Sequence, residues 1–110
     1  MKIFNQIEGI YISQDIKEAV SLSDRLLGML KKSNIGGLMF KTRFGIHTFF
    51  MKEPIDVIVL DNNLGVVKLA TVLPNSLFFW NPRYSKVLEL PKGSIKKSNT
   101  QKGDNVKFKV

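Results

Sequence analysis

The chain contains no cysteine. That excludes disulfides, thiolate metal sites and a thiol nucleophile, and it fits a reducing compartment. There is a single histidine, His47, and a single tryptophan, Trp80, so any imidazole chemistry must pass through one ring. No stretch approaches the ~20 consecutive apolar residues needed to cross a bilayer. Residues 1–8 hold no long apolar run and include Glu8, unlike a secretory leader, so the expected location is the cytoplasm. Phosphate-cradling glycine loops, zinc-ligand spacings and the familiar catalytic signatures are also missing. Internal repeats and low-complexity segments are absent too.

Acids are scarce as well, nine against seventeen bases, for a formal net charge of +8. The imbalance grows along the chain. Residues 1–30 hold three bases against four acids, residues 31–60 five against two, and residues 61–110 nine against three. Lys92, Lys96, Lys97, Lys102, Lys107 and Lys109 carry most of the excess. Such a field draws anionic partners, whether nucleic acid, acidic lipid head groups or phosphorylated ligands. The same lysines also serve as a plain solubilising surface. Lysine dominates over arginine, whereas surfaces that read base edges lean on arginine's paired donors.

At 110 residues the expectation is one domain, 1–110, able to bury roughly 60–70% of its unfolded surface without covalent staples. Glu8–Ser13 reads as a first strand. Ser21 or Ser23 caps a predicted helix, with Asp24 in its first turn and Leu22, Leu26, Leu27, Met29 and Leu30 at near-helical spacing as far as about Lys32. Gly36-Gly37 follows that helix and reads as its end signal rather than as a nucleotide site. Strands are predicted at 37–40, 46–51, 55–61, 66–72, 84–90 and 105–110, with a hairpin across Asp61-Asn62-Asn63-Leu64-Gly65. A loop runs from Pro74 to Arg83, and a polar lysine-rich stretch follows Pro91. Six or seven short strands with one helix predict a mainly β, sandwich-like or barrel-like domain.

Several pieces of the sequence, in order, resemble a known family. They are Arg25-Leu26-Leu27-Gly28-Met29-Leu30; Ile46-His47-Thr48-Phe49-Phe50-Met51 with Pro54-Ile55-Asp56-Val57; Leu60-Asp61 with Gly65 and Val67; and Val87-Leu88-Glu89-Leu90-Pro91-Lys92-Gly93 followed by Gly103-Asp104. Together they make residues 22–108 similar to domain-of-unknown-function family 192, a set of small bacterial and archaeal proteins. The resemblance implies a mainly β fold with one helix and no established activity. Many relatives carry a cysteine four residues before the histidine, where this chain has Arg43. Many have an aromatic ahead of the hairpin, where this chain has Val59-Leu60. Many are exported, and no export signal is seen here.

The candidate ligand-binding residues are His47, Asp56, Phe79, Trp80, Arg83 and Glu89. On a strand His47, Phe49 and Met51 share one face. An antiparallel turn at Lys52-Glu53-Pro54 would bring Asp56 toward His47, giving either an acid–base couple or a structural histidine held by a carboxylate. No serine or cysteine near His47 supplies a nucleophile. Asp56, Asp61, Glu89 and Asp104 offer carboxylates for a hard cation, and His47, Met51 and Met39 a soft-metal set. Turn-holding acids and core methionines are the commoner roles for these residues, so no metal and no cofactor is assigned. Glu89, inside an apolar strand, needs a basic partner such as Arg25 or Lys52 if buried. Phe78-Phe79-Trp80 interleaves with Arg83 and Tyr84 and reads either as a core lid or as a ligand surface.

The combined reading is a non-catalytic binding or accessory domain with a polar and aromatic pocket built from residues 46–61 and the 78–84 loop. It would take a small polar or anionic ligand or a partner segment. An enzyme using His47 and Asp56 is the first alternative. Electrostatic binding of nucleic acid or an anionic membrane surface is the second.

Overall fold

The run Ile55-Asp56-Val57-Ile58-Val59-Leu60 is apolar at five of six positions, and β-branched residues fill most of it. Such a run suits a strand buried on both sides. In the computed structural model, which describes residues 1–19, 36–49 and 51–110, it forms the strand β6 (Ile55–Leu60), buried at every position. The other strands are β1 (Lys2–Asn5), β2 (Ile10–Ser13), β3 (Lys17–Glu18), β4 (Leu38–Lys41), β5 (Gly45–His47), β7 (Val66–Val72), β8 (Leu77–Phe79), β9 (Lys86–Pro91) and β10 (Val106–Lys109). A five-residue helix, α1, spans Ser94–Ser98. Among the described residues the fold is mainly β, with ten strands in three sheets and one short helix. The helix predicted over about 21–32 lies outside the described residues, as does Arg25.

The largest sheet has the order β3-β4-β9-β6-β7. Strand alternation divides its side chains between two cores. On one face Leu38, Phe40, Ile55, Val57, Val59, Val72 and Val87 join one cluster. On the other, Ile58, Leu60, Leu88 and Leu90 join a second. Each face has its own cover. Ile46 of β5, Phe78 of β8 and the adjoining Trp80 complete the first cluster. Ile3 of β1, Ile12 of β2 and Val106 and Phe108 of β10 complete the second, with Ile95 of α1. The covers are the two smaller sheets, β5-β8 and β10-β1-β2. Complete burial stabilises by roughly 1.5–3 kcal/mol for each large aliphatic side chain, and β6 contributes to both clusters at once.

The predicted hairpin is present. β6 and β7 pair antiparallel from Ile55↔Val72 to Leu60↔Val66. Asp61 shapes the connection, its Oδ1 accepting the backbone N–H groups of Asn63 and Gly65, each at 2.8 Å. Other expectations change. The pattern over 46–51 predicts a six-residue strand, but β5 ends at His47. The cause is Thr48, whose buried Oγ1 donates to Leu73 O at 2.7 Å and accepts from Ser76 N at 2.9 Å, turning the chain. The strands β1, β3 and β8, each two to four residues long, are not expected from the sequence pattern. Gly37 has φ 111°, and a Cβ there would stand 2.3 Å from Glu89 O. Its place is a close backbone approach to β9 rather than only a helix ending.

Truncation should separate the buried faces from the surface. Leu88→Ala, at the centre of the second cluster, is expected to lower stability by about 2–5 kcal/mol. Exposed Leu73→Ala should stay within ~0.5 kcal/mol. Urea unfolding at constant m-value measures both, and equal shifts would contradict the two-faced burial of the sheet.

Candidate functional site

The six candidate residues divide between core and surface. Asp56 is 1% exposed and shares its face of β6 with Ile58, so its side chain enters the second cluster. There its Oδ2 accepts the N–H groups of Gly93 at 3.1 Å and Ile95 at 2.9 Å, and its Oδ1 accepts the Thr71 hydroxyl at 2.7 Å. The carboxylate therefore anchors the start of α1 to the central sheet. Glu89, 4% exposed, pairs with Leu38 and Val57 and occupies the opposite face. Trp80 is buried in the first cluster, with Nε1–H donating to Tyr84 O at 2.9 Å.

His47, Phe79 and Arg83 reach the surface. β5 pairs with β8 in the register Gly45↔Phe79, Ile46↔Phe78, His47↔Leu77. Ile46 and Phe78 point inward, while His47, Leu77 and Phe79 point outward. The predicted pairing of the His47 strand with the Asp56 strand across 52–54 does not form, because Thr48 diverts the chain and β8 takes the place beside β5. His47 stands on the cover of the first face, and Asp56 projects from the other face of the sheet.

The outward side of β5-β8 is apolar. Phe44 is 65% exposed, Phe79 59%, Leu77 58% and Phe49 42%, with Leu73 exposed nearby. The half-buried His47 ring lies 4.8 Å from the Phe49 ring at 24°, nearly parallel. Its Nδ1 accepts the Phe49 N–H at 3.3 Å, which leaves the proton of a neutral ring on Nε2. Phe44 sits at φ 75° and is bridged by a Gly45 N–H to Arg43 O bond of 2.9 Å. This is the rare, strained form of three-residue turn. Gly45, next in the chain, permits the close approach of β5 to β8, since a Cβ there would stand 2.5 Å from Phe78 O. Cations rim the patch. Arg43 donates to Pro82 O at 2.6 Å, Arg83 lies 5.6 Å over the Tyr84 ring, and Lys68 lies 4.7 Å over the Phe78 ring while donating to Phe79 O.

The sequence picked out Phe79 and His47 but missed Phe44 and Leu77. Phe44 has no local signal beyond an aromatic before a glycine. Leu77 becomes part of the site only through its pairing with His47. No metal site emerges: among the described residues no group of three or more histidines, aspartates and glutamates is placed to hold an ion. Met39 packs in the second cluster and Met51 against the first, so the soft-metal set is split across the sheet. Asp104 is taken up by Asn5 Nδ2 at 3.0 Å and Gln101 N at 2.9 Å. Among the described residues no helix is long and apolar enough to cross a membrane.

Fold and site together define a small mainly β protein that presents an aromatic sheet face around one histidine. The family DUF192, described as "Uncharacterized ACR, COG1430", matches residues 4–108. UPF0127 protein PH1112 of Pyrococcus horikoshii is 32% identical over 112 residues, covering 96% of this chain and 97% of the relative. UPF0127 protein PF1050 of Pyrococcus furiosus is 32% identical over 113 residues, with 96% and 97% covered. The chain belongs to the DUF192 (UPF0127) family of uncharacterised proteins. A crystal structure of a protein of unknown function from Novosphingobium aromaticivorans has a TM-score of 0.77 at 16% identity, covering 97% of this chain and 82% of that one. A Sinorhizobium meliloti protein, labelled only as a candidate transcription regulator, has a TM-score of 0.73 at 18% identity, with 96% and 89% covered. At these identities the two structures share the fold alone.

Removing the Asp56 carboxylate should cost stability. Asp56→Ala leaves the Gly93 and Ile95 N–H groups without their carboxylate acceptor, an expected loss of about 3 kcal/mol, and Thr71→Val should cost about 1 kcal/mol. Denaturant unfolding measures both, and a neutral Asp56→Ala would contradict the anchoring role.

Proposed function

We propose that the protein is a non-catalytic binding domain whose docking surface is the outward face of β5 and β8. The observation that carries this reading is the exposure of Phe44, Phe49, Leu77 and Phe79 on and beside the two paired strands that carry His47. Scattered exposed apolar residues are ordinary, whereas a contiguous aromatic group rimmed by polar residues marks an interaction surface. The strained turn at Phe44 adds weight. A turn alone would be served better by glycine or asparagine at φ 75°, and the strain holds a large ring in solvent.

The occupant is a segment of a partner protein, apolar at its centre and acidic at its ends. Phenylalanine and leucine suit apolar anchors. The rim of Arg43, Lys68 and Arg83 suits carboxylates and repels basic segments.

Selection from a random peptide library displayed on phage tests this. Against the wild-type protein the enriched peptides are expected to hold aromatic or aliphatic anchors flanked by Asp or Glu. Phe79→Ser should weaken those peptides about 30-fold, the scale of an interface anchor, without moving the unfolding midpoint. Peptides that bind the wild type and Phe79→Ser equally, or no enrichment at all, would reject the surface.

A further inference from the structure

We infer that the outward face of the β10-β1-β2 sheet is a second binding surface, for single-stranded nucleic acid. It lies on the far side of the central sheet from β5-β8. Its inner side chains, Ile3, Ile12 and Val106, are buried in the second core cluster. Alternation turns Lys2, Phe4, Tyr11, Lys107 and Lys109 the other way. Register then gathers them: Phe4 pairs with Lys107 on one side and Tyr11 on the other, and Lys2 pairs with Lys109.

The result is two aromatic rings set among three ammonium groups. The Phe4 and Tyr11 centroids are 5.0 Å apart at 66°. The Lys109 ammonium lies 4.2 Å from the Phe4 centroid and 5.4 Å from that of Tyr11, and Lys2 lies 5.7 Å from Tyr11. The strands β1, β2 and β10 contain no acidic residue. Rings that stack on unpaired bases, with lysines beside them to take the phosphates, are the two components of sequence-tolerant single-strand binding. The net charge of +8 supplies long-range attraction for a polyanion.

The chemistry favours a single strand over other anions. In a duplex the base faces are already stacked, so the rings would have no role. Duplex readout also draws on arginine, of which this face has none. Lys107 and Lys109 stand two residues apart on one strand, about 7 Å, a row of charge suited to a running backbone rather than to one isolated phosphate.

The test is fluorescence anisotropy with end-labelled oligothymidylate and oligouridylate about 12 nucleotides long, within the span of such sites. Binding is expected with a log–log salt slope near −2, about 0.7 for each of the three lysines. Tyr11→Ala should weaken it about tenfold through lost stacking, and Tyr11→Phe should restore it. Lys109→Gln should reduce the slope by about 0.7 and needs no change at Tyr11. Phe79→Ser, on the other surface, should leave oligonucleotide binding unchanged. No anisotropy change at low salt overturns the inference. So does an equal affinity of wild type and a folded Tyr11→Ala, which would reduce the contact to charge alone. Tyr11-dependent binding to phosphatidylserine vesicles without binding to the oligonucleotides would assign the face to membranes instead and equally overturn it.

Discussion

Burial of β6 on both faces is the constraint on which the rest of the structure depends. Its apolar side chains alternate between two clusters, so neither face of the central sheet can be left to water. A chain of 110 residues has little length for covering two faces, and among the described residues two small sheets do so. The same constraint explains Asp56. A carboxylate carried into the core by the strand's alternation must have its oxygens occupied. Thr71 and the N–H groups of Gly93 and Ile95 occupy them. The lysine-rich stretch after Pro91 thereby becomes a helix docked on the sheet, since the polar anchor that holds it is on β6.

The strands that reach deepest into the core carry candidate acids, and the thin covers carry the surface features. Asp56 and Glu89 are core residues on opposite faces of the central sheet. His47, Phe79 and Arg83 belong to the cover over one face. Chemistry that required a histidine and an aspartate in contact would need β5 beside β6, whose neighbours are β9 and β7, while β5 pairs with β8 in another sheet. What the cover offers instead is area, with exposed rings, one imidazole and a cationic rim. If it binds as proposed, such a surface would recognise by shape and apolar contact, with the Phe44 ring held in solvent by a positive-φ turn.

Much of this was legible in the sequence, for identifiable reasons. The strands β6, β7 and β9 are six or seven residues long, with apolar runs bounded by turn residues, and Asp61 to Gly65 is turn chemistry of a readable kind. Mainly β architecture and the central hairpin follow. The site was legible only in part. His47 and Phe79 stood out by type. Leu77 gained its place through a pairing across nearly thirty residues, and Phe44 through a backbone conformation that its side chain disfavours. The face formed by Lys2, Phe4, Tyr11, Lys107 and Lys109 was illegible, because it joins the two ends of the chain and no local pattern encodes that register. Lys107-Phe108-Lys109 does alternate, but alternation says which residues share a face and not what lies beside them.

The two surfaces differ in how they treat their rings, and the difference follows from what lies beneath. Beneath β5-β8, Ile46, Phe78 and Trp80 fill the first cluster, and the outward rings of Phe44, Phe49 and Phe79 stand largely open to water. On β10-β1-β2 the ammonium groups of Lys2 and Lys109 lie close over Phe4 and Tyr11. Lysine stems there cover apolar surface while their charges stay solvated. An open aromatic face gains most from excluding water against another apolar surface. A lysine-shielded face gains least from that, because an apolar partner would have to desolvate the ammonium groups. A polyanion with flat, unpaired rings of its own answers both components without that cost. On the two proposals the faces would therefore select different partners, and the central sheet lies between them.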